Sequence, residues 1–422
     1  MSVVYLDNNA SALMPQAAVE ALASWCNRGS PAAAHAGARE SRAMLDAFRR
    51  EIAAECGFDL ADYAVVFTSG ASESNCAIAT GAVRAYAVAT KRLPHVIASA
   101  ADHASLLGCC RRLAADGLCR LTVLSPARAG PGRGTVDPAD LATALRPNTC
   151  LVSVVAADGN TGALNDLRAL GKLTRAARVP LHTDAAQLFG RSAIRPGALG
   201  VDAFSASFHK LGGPPGVGIL VLRRDLVAGY GLAPLIAGQQ NGGLRGGTEN
   251  LPGLGASFAA FRLAMADRGG KNARVLRARN ALKAAIAARL PCFDLDDHPG
   301  DPPPSIDGGI TPGGARREGS AAARRAIAGD RPAVFWLTAG DDRRVLPNTL
   351  LLAVRRPGFS GGEARAALEE RGVIVGLPIP DILAAMGVPA VLRAGALRVS
   401  LGDTTTADEI STFVRHFLAV VD

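Results

Sequence analysis

Residues 202–223 read DAFSASFHKLGGPPGVGILVLR, two apolar runs, DAFSASFH (202–209) and GVGILVLR (216–223), around a Gly/Pro loop that begins at Lys210. Neither run alternates strictly between apolar and polar residues, the pattern of strands buried on both faces. The LGGPPGVG segment ends the first strand and lets a ligand come close to the backbone. Five more runs of the same kind lie upstream: AVVFTSG (64–70), HVIASA (95–100), CRLTVLS (119–125), CLVSVVAA (150–157) and PLHTDAA (180–186). Segments such as AVEALASWC, DLATALR and DLRALGKLTRAAR separate strand runs and carry apolar residues at helical spacing. Strands alternating with helices imply a mainly parallel sheet covered on both faces, so the expected fold is α/β with a seven-stranded sheet over residues 15–255.

After position 252 the pattern changes to long helices (LGASFAAFRLAMA, ARVLRARNALKAAIAARL), then short strands TLLLAVRR and ALRVSLG around the helix GGEARAALEERG. This predicts a smaller α+β domain formed by residues 1–14 and 256–422. Within it, 297–345 is rich in Pro, Gly, Arg and Ala with little to bury, and is expected to be a mobile surface insertion.

The whole chain has 422 residues, 46 Lys+Arg against 37 Asp+Glu, and a net charge of +9. The Arg residues are scattered along helices beside acids, as in ARESRAMLDAFRRE, and only 5% of residues are aromatic. Nucleic-acid binding is therefore set aside. No run of about 18 uncharged apolar residues argues for a membrane span, and MSVVYLDNNA lacks the layout of a targeting peptide. Eight Cys without a CxxC pair offer no zinc ligand set and suit a reducing, cytoplasmic setting.

The chain has five Lys, at 91, 172, 210, 271 and 283. Four fall in loops or among charges on amphipathic helices. Lys210 stands at the carboxyl end of a buried strand, where open α/β sheets bind ligands and desolvation turns an amine into a nucleophile. TSGASES (68–74) opens a helix after a strand, and the free N–H groups of Gly70, Ala71 and Ser72 together with the hydroxyls suit a phosphate. Asp184 in HTDAAQ and His103 in ADH end two further strands. A lysine, a carboxylate, an imidazole and a phosphate cradle on one sheet edge suit pyridoxal 5'-phosphate.

With these residues on view, the sequence resembles the cysteine desulfurase family of the class V aminotransferase group, fold-type I pyridoxal-phosphate enzymes. The resemblance spans nearly the whole chain and rests on YLDNNA (5–10), FTSGASESN (67–75), DHA (102–104), HTDAAQ (182–187), SASFHK (205–210), GGPPGVGIL (212–220), GLRGGTEN (243–250), LPNT (346–349) and RVSLGDTTTADEI (398–410). It implies that Lys210 holds the cofactor as a Schiff base, that Asp184 pairs with the pyridine nitrogen, that His103 stacks on the ring and that Gln187 meets the ring hydroxyl. Ser72, Ser207 and His209 would hold the phosphate with Gly70 and Ala71, Thr248 would reach it from the other subunit of a homodimer, and Arg398 would take the substrate carboxylate. Taken singly, Asp184 can equally cap the next helix, His209 can be a core histidine, and Arg398 can pair with Asp403 or Glu409.

Two departures from the family bear on function. In AADGNTG (156–162) the family's Asn corresponds to Gly159 and its Glu to Asn160. The family's nucleophilic Cys sits on a mobile loop, and the matching stretch, RGVIVGLPIPDILAAMGVPAVLRAGALRVSLG (371–402), contains no Cys and two rigid prolines in GLPIP. Three readings stay open: C–S cleavage of cysteine or a related amino acid without a loop persulfide, another reaction such as transamination or β-elimination, and a catalytically silent binding partner.

Overall fold

The computed structural model describes residues 3–130, 132–297, 331–338 and 342–422. Seven strands form the main sheet: β2 (Tyr63–Thr68), β3 (His95–Ser99), β4 (Arg120–Leu124), β5 (Thr149–Ser153), β6 (Leu181–Asp184), β7 (Ala203–Ser207) and β8 (Gly218–Arg223), in the order β2-β8-β7-β6-β5-β3-β4. All seven coincide with the seven expected runs. β8 is antiparallel to both β2 and β7, and the other pairs are parallel. Because β8 is antiparallel to both neighbours, β2 runs in the same direction as β7, and the carboxyl ends of β2, β3, β6 and β7 share one edge.

Both faces of this sheet are buried with period two. Val65 and Phe67 of β2 and Ile219 and Val221 of β8 join a core that includes Phe48, Phe204 and Phe208. Their neighbours Val66, Leu220 and Leu222 join the opposite core with Ile78, Val83 and Leu106. Gly218 is required where β8 enters the sheet, since a Cβ there would lie 2.5 Å from Gly70 Cα. The strand therefore packs against the turn that opens the helix Ala71–Thr90.

A second sheet has the order β13-β11-β10-β9, from β9 (Cys292–Asp294), β10 (Ala333–Trp336), β11 (Thr349–Arg355) and β13 (Ala396–Ser400). Residues 298–330 of the expected mobile insertion lie outside the described residues, but 333–336 are a buried strand between β9 and β11. AVFW is apolar throughout, and this outweighs the Pro/Gly/Arg character of the segment before it. β1 (Val4–Leu6) pairs in parallel with β12 (Val373–Val375), and Val4 and Leu6 enter the core of this second sheet. The chain then passes through Asp7 and Asn9 toward the edge of the main sheet. The helix Leu251–Met265 packs on the main-sheet core through Leu254, Phe258 and Phe261, whereas the next helix, Arg268–Ala287, packs on the second core. Among the described residues no helix is long and apolar enough to cross a membrane.

Candidate active site

Lys210 follows β7 by three residues, in a short 3-10 turn, Phe208–Leu211. Its Nζ donates to the backbone carbonyls of Asn9 (2.5 Å) and Ala10 (2.9 Å). Burial, reinforced by the Arg398 charge and opposed by Asp184 and Asp7, lowers its pKa to about 8. An amine so tuned is a competent nucleophile and base near neutral pH. It opens into a cavity of about 520 Å³ lined by Gly70, Ala71, Ser72, His103, Asp184, Gln187, Ser207, His209 and Arg398 as well. Nine expected site residues thus meet Lys210 in one cavity. Thr248 does not: it lines an adjacent cavity of about 210 Å³ with Ser69 and Gly216.

Asp184 closes β6. Its Oδ1 accepts from the Ala186 N–H at 2.9 Å, a local cap, and its Oδ2 accepts from Asn75 Nδ2 at 2.8 Å. Asn75 Nδ2 also donates to Ser105 Oγ at 3.1 Å, and Ser105 Oγ lies 2.8 Å from His103 Nδ1. The Ser105 N–H donates to the same Nδ1 at 3.1 Å. Nδ1 is therefore the acceptor, and in the neutral ring the proton sits on Nε2. Asn75 and Ser105 so link the carboxylate to the imidazole.

Gly70 is the N-cap of the helix Ala71–Thr90 and supplies no capping side chain, which leaves the first amides to face the cavity. Glu73 in that turn accepts from Ser69 N–H (2.8 Å) and pairs with Arg245 (2.9 Å). Burial raises its pKa, but these partners outweigh that and hold the carboxyl below its usual value. His209 Nδ1 lies 3.3 Å from Ser11 Oγ, and burial with the Lys210 charge lowers it to about 4, so the ring is neutral.

Asn9 ties the wall together. Buried at 1% exposure, it donates through Nδ2 to Gly159 O (3.0 Å) and Thr349 Oγ1 (2.8 Å), and its Oδ1 accepts from Asn348. Its carbonyl accepts from both Lys210 and Gln187. Arg398 pairs with neither Asp403 nor Glu409: its Nη2 meets Asp7 Oδ1 at 2.7 Å and its Nη1 donates to Gly159 O at 3.3 Å. A Cβ at Gly159 would lie 2.9 Å from Gln187 Nε2, so the Gln187 side chain occupies the space a larger residue would take.

Beneath the edge, Asp102 is buried and accepts from the Ser99 (2.7 Å) and Val155 (2.5 Å) amides, fastening the loops after β3 and β5. Burial pushes its carboxyl well above the usual range. Asp7, Asn9, Asn75, Asp102 and Ser105 received no role from sequence. Asn9 and Asn75 lie inside motifs quoted for the resemblance, YLDNNA and FTSGASESN, but their roles depend on contacts 150 and 109 residues away.

A polar ligand fits this cavity. Gln187 Oε1, Asn75 Oδ1 and Arg398 Nε are buried without a hydrogen-bond partner, and all three atoms belong to residues that line or back it. Orphaned buried polar atoms are costly unless a ligand satisfies them. On the far side, Asp158 accepts from the Asn160 and Thr161 amides and side chains, and Asn160 Oδ1 accepts from the Ile379 N–H at 3.0 Å. Ile379 and Ile382 line the cavity there, and none of the eight Cys does.

The Aminotransferase class-V family profile matches residues 4–290. A cysteine desulfurase from Cereibacter sphaeroides is 31% identical, over 100% of this chain and 96% of its own. The putative cysteine desulfurase IscS 1 of Bacillus subtilis (strain 168) is 28% identical over 100% of this chain and 99% of its own. Among solved structures, a NifS-like protein superposes with a TM-score of 0.79 at 24% identity, over 100% of this chain and 99% of its own. The cysteine desulfurase CsdA of Escherichia coli superposes with a TM-score of 0.75 at 21% identity, over 99% and 94% of the two chains. These solved structures share the fold-type I architecture.

Proposed function

Because the chain belongs to the class-V aminotransferase family, whose cofactor is pyridoxal 5'-phosphate, we propose that it is an enzyme of cysteine desulfurase type that cleaves the C–S bond of L-cysteine or a related amino acid without passing sulfur to a loop thiol. The observation that carries this reading is Lys210: a half-buried amine with its pKa lowered to about 8, in one cavity with Asp184, His103 and Arg398. When bound, pyridoxal phosphate supplies an electron sink for the pair left by a broken bond at the substrate's α-carbon.

The chain's own residues do the rest. Lys210 Nζ would hold the cofactor and serve as the base that takes the proton from the substrate's α-carbon. Asp184, kept in place by Asn75, holds a proton on the ring nitrogen, and Gln187 meets the ring hydroxyl with its unpartnered Oε1. His103 covers the ring, with its Nε2–H presented by the Ser105 contacts to Nδ1. Gly70, Ala71, Ser72, Ser207 and His209 surround the phosphate. Arg398 binds the substrate carboxylate through its free Nε and the Nη2 it shares with Asp7. Thr248, which lines a neighbouring cavity of its own chain, would complete the cradle of a second subunit in a homodimer, and the eight Cys without a CxxC pair suit the cytoplasm.

The test is borohydride reduction of the yellow protein followed by peptide mapping. The pyridoxyl group is expected on Lys210, and a label on Lys91, Lys172, Lys271 or Lys283 overturns the assignment. Mass spectrometry after exposure to L-cysteine without reductant is expected to find free sulfide and no persulfide. A stoichiometric persulfide on one Cys, lost together with activity when that residue is changed to Ser, contradicts the thiol-free route.

A further inference from the structure

Ile379 and Ile382 form an apolar, fixed wall opposite the strand ends, joined by Ala101, Val155 and Ala157. Pro378 and Pro380 flank Ile379 and restrict the backbone on either side. Its N–H is held by Asn160, which Asp158 holds in turn. Ile382 is 6% exposed and packs with Leu383, Met386 and Val388 on the face of the second sheet opposite to Val4 and Leu6.

This wall starts beside the carboxylate-binding arginine. Gly376 exchanges two backbone hydrogen bonds of 2.9 Å with Arg398, and Arg398 Nη1 donates to the carbonyl of Gly159, the residue before Asn160. A substrate anchored by its carboxylate on Arg398, with its α-carbon at Lys210, shares its cavity with Ile379 and Ile382. No protein thiol stands there to receive sulfur, and the side chains of Ile379 and Ile382 offer no polar partner to a second charge.

Resting on the function assigned above, we propose that the substrates are S-alkyl-L-cysteines, thioether amino acids whose alkyl group lies against Ile379 and Ile382. Lys210 Nζ takes the α-proton, and the Cβ–S bond breaks with its electron pair going to sulfur. The sulfur takes a proton and departs as an alkanethiol. One water converts the remaining three-carbon fragment into pyruvate and ammonium. S-alkylcysteine and water thus give thiol, pyruvate and ammonium, with no oxidant, reductant or protein thiol.

The experiment is a titration of the holoenzyme, read by the cofactor's visible spectrum, with L-alanine, L-norvaline and L-norleucine, which fill the same space and have no sulfur to lose. Affinity is expected to rise by up to about fourfold per added methylene. Ile379→Ser, at a position exposed enough to tolerate the change, is expected to flatten the series. S-propyl-L-cysteine should be turned over to pyruvate at least tenfold faster than L-cystine, whose second charged end meets the wall. A flat wild-type series, or faster turnover of L-cystine, overturns the substrate class while leaving the cofactor assignment intact. A protein that takes up no pyridoxal phosphate overturns the assigned function, and the substrate class with it.

Discussion

Lys210, Asp184 and Ser207 reach the cavity from the ends of neighbouring strands of the main sheet, whereas Ile379 and Ile382 reach it from a proline-flanked turn and short helix that follow the second sheet's packing. The first wall is polar, and strand register fixes the spacing of its residues: Asp184 pairs with Ser205 across β6 and β7, two residues before Ser207. The second wall is apolar: Asn160 and two prolines hold Ile379, and packing with Leu383, Met386 and Val388 holds Ile382. Chemistry common to many substrates belongs on the rigid sheet edge, and selection between substrates belongs on the turn, which can change without disturbing the sheet.

The harshest way to break this comparison is to remove the amine. Lys210→Ala is expected to abolish the covalent cofactor band and to lower turnover by roughly 10³-fold or more. Turnover within tenfold of wild type would mean that the sheet edge is not where the chemistry occurs. Asp184→Asn comes next: it keeps the shape and the Asn75 neighbour but removes the charge proposed to hold the ring nitrogen protonated. A fall of roughly 10²-fold in kcat with cofactor still bound is expected, while unchanged turnover contradicts the role of the carboxylate.

A smaller change sharpens the comparison within the polar wall. Ser105 touches the candidate cofactor site only through Asn75 and His103, so it is a positioning residue. Ser105→Ala retains the backbone N–H to Nδ1 but removes the hydroxyl bridge, and a loss of roughly tenfold in kcat is expected with KM little changed. The acidic limb of the pH–rate profile should shift, and Ser105→Thr should restore it. A profile identical to wild type in Ser105→Ala would show that the bridge only packs.

The polar wall was largely legible in the sequence because its residues sit at fixed offsets from strand ends: a strand that stops in SFHK or HTDAAQ presents the next side chains to the edge whatever the rest of the chain does. Asn9, Asn75 and Ser105 were not legible as functional, since an Asn or Ser gains its role from partners that only the fold brings near. Asn9 collects Gly159, Lys210, Asn348 and Thr349, all at least 150 residues away. Arg398 was recognised, but its surface acids Asp403 and Glu409 were the local partners on offer, and Asp7 became available only through the parallel pairing of β1 with β12. Strand β10 was hidden for a different reason: four apolar residues followed a long segment whose composition pointed the other way.

The remaining expected effect is on stability and not on turnover, and concerns what keeps the sheet edge in register. His182, two residues before Asp184, is buried between β5 and β7, with Nδ1 2.7 Å from Ser153 Oγ and Nε2 2.9 Å from Ser205 Oγ. Burial lowers its pKa to about 3, whereas in the unfolded chain it titrates near 6.5. The unfolded state therefore binds the extra proton between those two values, so the contribution of His182 is complete above pH 6.5 and declines as the pH falls through that window. At pH 5 the decline amounts to about 2 kcal/mol, from 1.5 pH units at about 1.36 kcal/mol each. His182→Asn should be destabilised relative to wild type at pH 7 in urea denaturation, and the gap should close by about that amount at pH 5, because the variant has no imidazole to protonate. His95 and His209 titrate in both proteins and cancel. A gap that stays constant between pH 7 and pH 5 would mean that His182 accepts a proton in the folded sheet, and that the two serine hydroxyls do not hold it neutral between the strands.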